Sequence, residues 1–127
     1  MLDASELDAV LQRAAAAGVG EVITISTRLS QAADLIALTR RPGVWCTVGV
    51  HPHIRAARRA GLPLVVHARN ADQDIAAILQ EEWDAGGPFQ HVLHCFSSGR
   101  GLAEAGLKLG GYISFSGMLT FPKSAEL

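Results

Sequence analysis

Three histidines of this chain, His51, His67 and His94, each directly follow a short apolar run. Such runs are typical of strands in a parallel sheet, whose carboxyl ends meet at one edge and commonly carry the chemistry of the fold. Imidazoles from several strands can therefore share one ligand. A lone histidine at such a place is more often a hydrogen-bonded structural residue, whereas three together favour a metal or phosphoester site.

Arg69 and His91 lie close to these histidines in the sequence, and each has two interpretations. Arg69 comes two residues after His67 and can hold a phosphate or carboxylate through its planar guanidinium group. A surface salt bridge explains it equally well. His91 opens the run that ends before His94, and we place the two imidazoles on opposite faces of that strand. We therefore interpret His91 as solvated or as a packing residue.

The common motifs of nucleotide binding and hydrolysis are absent from the sequence. It contains no Gly-Lys-Ser/Thr of a P-loop, no Gly-x-Ser-x-Gly of an α/β-hydrolase and no His-Glu-x-x-His of a zincin. Cys46 and Cys95 have neither Cys-x-x-Cys nor Cys/His spacing, so we predict buried, reduced thiols without a redox or metal role. Ser97 and Ser98 precede a predicted helix and can cap it.

Hydrophobic periodicity and turn residues predict the elements that position these side chains. One helix begins at the N-cap Ser5 and ends near residue 17, and another is capped by Asn70 and closed by Gly86. Shorter helices are predicted at 29–40, 54–60 and 101–109, and strands at 21–26, 44–50, 91–96 and 112–116, with one more strand beginning at Leu62. The helix at 54–60 is predicted to present a solvated basic face made of Arg55, Arg58 and Arg59.

The alternation of five strands with helices and short connections predicts an α/β fold with a parallel sheet under helical cover. An open doubly wound sheet and part of a (β/α)8 barrel both fit this order. A complete barrel takes about 250 residues, whereas this chain has 127. We expect a single domain over residues 1–127, because this length suffices for one core.

The composition is that of a globular protein, with 49% hydrophobic residues, 18% charged residues and a net charge of -1. This balance gives no broad basic surface, so a polyanionic substrate would have to be held locally. No apolar run reaches the roughly eighteen residues of a membrane span, and the first residues show neither the basic nor the apolar region expected of a signal peptide. We expect a cytoplasmic protein that makes no membrane contact.

Four segments together resemble the TatD family of metal-dependent deoxyribonucleases. They occur in the order of that family and are Val48–His53, Leu62–Arg69, His94–Ser97, and Tyr112–Gly117 with Thr120-Phe121. Each segment alone is weak evidence for the family, whereas four segments in the same order are specific evidence. The similarity extends over essentially the whole chain. The resemblance implies an incomplete (β/α)8 TIM barrel of the amidohydrolase type, with about five parallel strands present.

The same resemblance implies a function and a role for individual residues. Members of the family hydrolyse phosphodiester bonds in DNA with divalent metal ions, which activate water and neutralise charge on the phosphate. His67 and His94 would be metal ligands, and His51 a catalytic residue beside the metal site. Arg69 would bind the substrate. Two ions of Mg, Mn or Zn are expected, with DNA as the substrate and no protein partner.

Departures from the family pattern lower the activity expected of these 127 residues. The initial His-x-His strand, the Gly-Glu segment and the Glu-Thr-Asp segment of the family are missing, which predicts break points after residue 2 and near residue 53. Because a catalytic metal site needs about three protein ligands, the chain should bind metal poorly and turn over little. Two alternatives stay open: an amidohydrolase-type enzyme for another ester or amide, and a truncated non-catalytic domain.

Overall fold

The structure, a computed structural model, describes residues 4–48, 54–122 and 124. The chain divides into two compact units, Met1–Val50 and His51–Leu127. Within the described part, no helix is both long and apolar enough to cross a membrane.

The first unit is built on a pair of parallel strands. Its elements are, in order, α1 (Ala4–Ala16), β1 (Val22–Thr24), a 3-10 turn (Leu29–Gln31), α2 (Ala32–Leu38) and β2 (Val44–Cys46). In the ladder, Ile23 of β1 lies opposite Trp45 of β2. Ser5 was the predicted N-cap of the first helix, and this is wrong because α1 already begins at Ala4. Alanine is the strongest helix former, so the helix begins one residue before Ser5.

The second unit is a three-stranded parallel sheet with helices. Its elements are, in order, α3 (Ile54–Arg59), β3 (Leu64–Val66), α4 (Asp72–Gly86), β4 (His91–Leu93), α5 (Arg100–Lys108), β5 (Tyr112–Ile113) and a 3-10 turn (Gly117–Thr120). The strand order is β3-β4-β5, and Val92 is paired with both Val65 and Tyr112. The predicted α/β fold with five parallel strands is confirmed, although the strands are shorter than predicted and lie in two sheets.

The core of the second unit forms where α4 and α5 pack against the sheet. Ile75 and Leu79 are one helical turn apart on α4, and Leu102 lies on α5. They contact the strand side chains at alternate positions of β3 and β4, of which Val66 is 0% exposed. Each such burial contributes about 1.5–3 kcal/mol. This packing holds β3 and β4 in place and so positions the residues at their carboxyl ends.

The structure corrects the predicted roles of two polar residues of the second unit and decides between two predicted roles for a third. Asn70 is not the cap of α4, because Ala71 occupies that position and Asn70 has a left-handed backbone with φ of 52°, which asparagine tolerates. Arg58 is not fully solvated, because its guanidinium Cζ lies 4.9 Å from the ring centroid of Phe89 and its Nη1 is buried. His91 is only 2% exposed, which confirms the packing interpretation.

The two cysteines are less buried than predicted. Cys46 and Cys95 are both free thiols of intermediate exposure. Cys46 is the last residue of β2, and Cys95 lies two residues beyond β4. Both thiols are therefore only partly buried, at or just beyond the carboxyl ends of their strands.

Candidate metal centre

The candidate ligands His67 and His94 lie at the same edge of the sheet of the second unit. β3 ends at Val66 and β4 ends at Leu93, so each histidine is the first residue beyond its strand. The backbone N–H of His94 donates to the carbonyl oxygen of Val66 at 2.7 Å, which places the histidines on neighbouring strand ends. His67 is exposed and His94 is partly exposed. Both imidazoles are therefore open to a ligand from solvent.

An open cleft of about 600 Å³ is formed by residues that follow these two histidines in the chain. Its polar lining includes Arg69, Asn70, Asp72, Asp74, Ser97 and Ser98. The arginine contributes one positive charge and the two aspartates contribute two negative charges. The cleft is therefore not a purely cationic site, and an anion bound at Arg69 would meet repulsion from both carboxylates.

Asp72 joins the beginnings of α4 and α5. Its Oδ2 accepts a hydrogen bond from the backbone N–H of Gly99 at 2.9 Å. Gly99 is the N-cap residue of α5, so the prediction that Ser97 or Ser98 caps this helix is wrong. Because the backbone N–H of Gly99 already donates to the carboxylate of Asp72, it is not free to bind an anion. The negative charge of this carboxylate near the N-terminus of the helix is itself favourable.

Arg100 is the first residue of α5, and its side chain pairs with Glu104 one turn along the helix. Its Nε donates to Oε1 of Glu104 at 2.7 Å, and this hydrogen bond raises the pKa of Arg100 above its usual value. Both side chains are largely exposed, so the pair adds little to stability.

The donor set at this edge is chemically suited to a divalent ion but is incomplete. His67 and His94 offer imidazole nitrogens, which suit Zn and other transition metals. Across residues 4–48, 54–122 and 124, no group of three or more His, Cys, Asp or Glu side chains could hold a metal ion. His51 lies outside the described residues, so its predicted place beside the metal stays a prediction.

Two contacts at this edge were missed by the sequence reasoning. One is the bond between Asp72 and Gly99, which are 27 positions apart, and the other joins Cys95 Sγ to Ser116 Oγ at 3.2 Å, across 21 positions. Local periodicity carries no signal for either contact, because each depends on how distant helices and strands pack.

Fold and site together define a parallel α/β protein with a candidate metal centre at its strand ends. Residues 53–127 match the family model described as TatD related DNase, and the chain belongs to this family. The match confirms the resemblance seen in the sequence over these residues. The similarity predicted for residues 1–52 stays a prediction.

Several curated relatives are similar over 58–59% of the chain. The uncharacterized metal-dependent hydrolase YcfH of Escherichia coli K12 is 47% identical over 77 residues, covering 59% of this chain and 28% of the relative. The uncharacterized metal-dependent hydrolase TatD of Mycobacterium tuberculosis is 40% identical over 75 residues, covering 59% of this chain and 27% of the relative. YabD of Bacillus subtilis, with the same description, is 36% identical over 75 residues. The chain thus spans little more than a quarter of the length of these relatives.

Proposed function

We propose that this protein acts as a metal-dependent hydrolase that cleaves phosphodiester bonds in DNA. Family membership supports the proposal, as do the relatives whose names describe metal-dependent hydrolases. The observation that carries it is the hydrogen bond from His94 N–H to Val66 O, which brings two candidate ligands to neighbouring strand ends. The proposal includes a partial TIM barrel, of which β3, β4 and β5 would be consecutive strands.

In this proposal, the histidines at the strand ends have separate roles. His67 and His94 bind a divalent cation, and two ions of Mg, Mn or Zn occupy the complete site. A bound ion supplies Lewis acidity for the phosphodiester and lowers the pKa of water. His51 acts beside the metal, and Arg69 contacts a substrate phosphate. Because Asp72 and Asp74 share the cleft with Arg69, a substrate phosphate would depend on a bound cation as well as on Arg69 to offset the repulsion from both carboxylates.

We further propose that the family sequence is interrupted after residue 2 and near residue 53 within one partial barrel domain. The family match begins at residue 53, and the boundary between the two units falls between Val50 and His51. A longer form that carries the remaining ligands would be the efficient enzyme.

Metal titration tests the centre directly. The chain is expected to bind Zn²⁺ weakly, and His67→Ala and His94→Ala are each expected to lower affinity by at least 10-fold, on the order seen when metal-site residues are removed. Gln90→Ala is the control, because Gln90 is exposed and precedes β4. Calorimetry and elemental analysis measure the outcome. Undiminished binding in both histidine variants would show that the metal site lies elsewhere.

Cleavage of a labelled DNA oligonucleotide tests the reaction. With Mg²⁺ or Mn²⁺, slow cleavage by the chain is expected, and a chelator should abolish it. Removing the imidazole of His94 should lower the rate, whereas Gln90→Ala should leave it unchanged. Good hydrolysis of another ester or amide without phosphodiester cleavage would instead favour the second enzyme class.

A non-catalytic domain is the second candidate function. It is favoured by the finding that the described residues contain no group of three metal-ligating side chains. A folded chain without stoichiometric metal and without chelator-sensitive cleavage would establish this candidate.

A further inference from the structure

Directly beyond the paired residues of β4 and β5, the hydrogen-bond pattern between the two chain segments contains one extra residue, at His94 and Cys95. In a regular parallel ladder, one residue bonds to two residues of the neighbouring strand. Its N–H donates to the carbonyl of the first, and its own carbonyl accepts from the N–H of the residue two positions later. The N–H of Ser114 donates to Leu93 O at 2.9 Å, so its carbonyl should accept from residue 95. It accepts instead from Phe96 N–H, also at 2.9 Å. The backbone at His94 and Cys95 is therefore a bulge.

Cys95 supplies the unusual backbone conformation that this bulge requires. Its φ is 50°, in the left-handed region that residues other than glycine, asparagine and aspartate seldom adopt. The next side chain, Phe96, is 7% exposed and belongs to the core. The extra residue thus lets the chain return to the core immediately after His94.

A side-chain contact ties the bulge to the segment after β5. The thiol of Cys95 donates to Ser116 Oγ at 3.2 Å, and the same oxygen accepts from Met118 N–H at 3.4 Å. Ser116 is the N-cap of the 3-10 turn Gly117–Thr120. The bulge is therefore held from outside the strand as well as by its own backbone.

We propose that Cys95 and Ser116 are positioning residues for His94. Bulges re-aim a neighbouring side chain and are frequent beside active sites. The amide of His94 is fixed by Val66 O, so the turn that follows at Cys95 determines the direction in which the imidazole leaves the strand end. The functional meaning of this positioning rests on the proposed function, but the positioning itself can be measured without metal or substrate.

The experiment compares Cys95→Ala, Cys95→Ser and Ser116→Ala in the full chain by NMR of the histidine rings. Removing either partner of the contact should shift or broaden the His94 ring resonances relative to the wild type. Cys95→Ser keeps a hydrogen-bond donor, so its His94 ring resonances should be close to those of the wild type. Cys46→Ser is the matched control, because it changes a partly exposed thiol in the other unit. Unchanged resonances of the buried His91 show that each variant is folded.

Zn²⁺ affinity provides the second measurement. A loss on the order of 10-fold is expected for Cys95→Ala and Ser116→Ala, as for other residues that orient a ligand, and recovery is expected for Cys95→Ser. Unshifted His94 resonances in both alanine variants would overturn the proposal. If the wild-type chain binds no Zn²⁺, the proposed function fails, and the ring resonances of the metal-free protein still decide whether Cys95 positions His94.

Discussion

His91 shows how one buried side chain can require glycine at another position. Its Nδ1 lies 3.2 Å from Phe89 O, and its Nε2 is buried without a described partner. A Cβ added at Gly111 would overlap the imidazole ring of His91, including Nε2, so that the ring or the backbone would have to move. The sequence indicated that His91 was solvated or packed, but the dependence on Gly111 arises from a contact across the sheet. Periodicity along one strand cannot show it.

Gly111→Ala is therefore expected to destabilise the protein by about 1–3 kcal/mol, the usual result of overpacking a core. The ring of His91 would have to leave its position between β4 and α5. Gly117→Ala is the control, because a Cβ at Gly117 would meet no atom within 4 Å. Urea unfolding followed by circular dichroism measures both variants. Equal stability of Gly111→Ala and the wild type would contradict the packing described for His91.

At the scale of elements, the existence of helices and strands follows from the sequence, but their ends do not. Ile75 and Leu79 have the helical spacing expected of α4, and both are buried. The N-terminus of α5 was misplaced, because the amide of Gly99 is bound by Asp72 from another helix. Helix ends depend on which group satisfies their free amides, and here that group is distant in sequence.

Asp72→Ala should lower the free energy of unfolding by about 0.5–1.5 kcal/mol, the usual value of one hydrogen bond. Asp74→Ala is a matched control, since both carboxylates lie in the first turn of α4 and interact similarly with its dipole. The difference between the two variants isolates the bond to Gly99. Thermal unfolding measures it, and identical melting curves for the two variants would show that this bond contributes nothing.

At the scale of the whole molecule, the alternation of strands and helices predicted parallel strands, and these are confirmed within each sheet. The division of the strands into two sheets was not predicted, because it depends on which pairings form and not on the pattern of any one strand. Similarly, the residue types identified His67 and His94 as candidates, and the ladder places them on neighbouring strands. Their completion as a metal site depends on donors that the described residues do not supply.

The first unit leaves apolar side chains of its parallel strands exposed, which predicts self-association. Ile23 and Trp45 are opposite each other in the ladder and are 60% and 58% exposed. Parallel sheets normally have both faces covered, so this face should bind apolar surface at high concentration. Ile23→Lys combined with Trp45→Lys should reduce the concentration-dependent increase in sedimentation coefficient. Ile36→Lys, which places the same charge on α2 at a residue that is 51% exposed, should have a smaller effect. Equal effects of the strand and helix variants would show that added charge, and not the uncovered strand face, controls association.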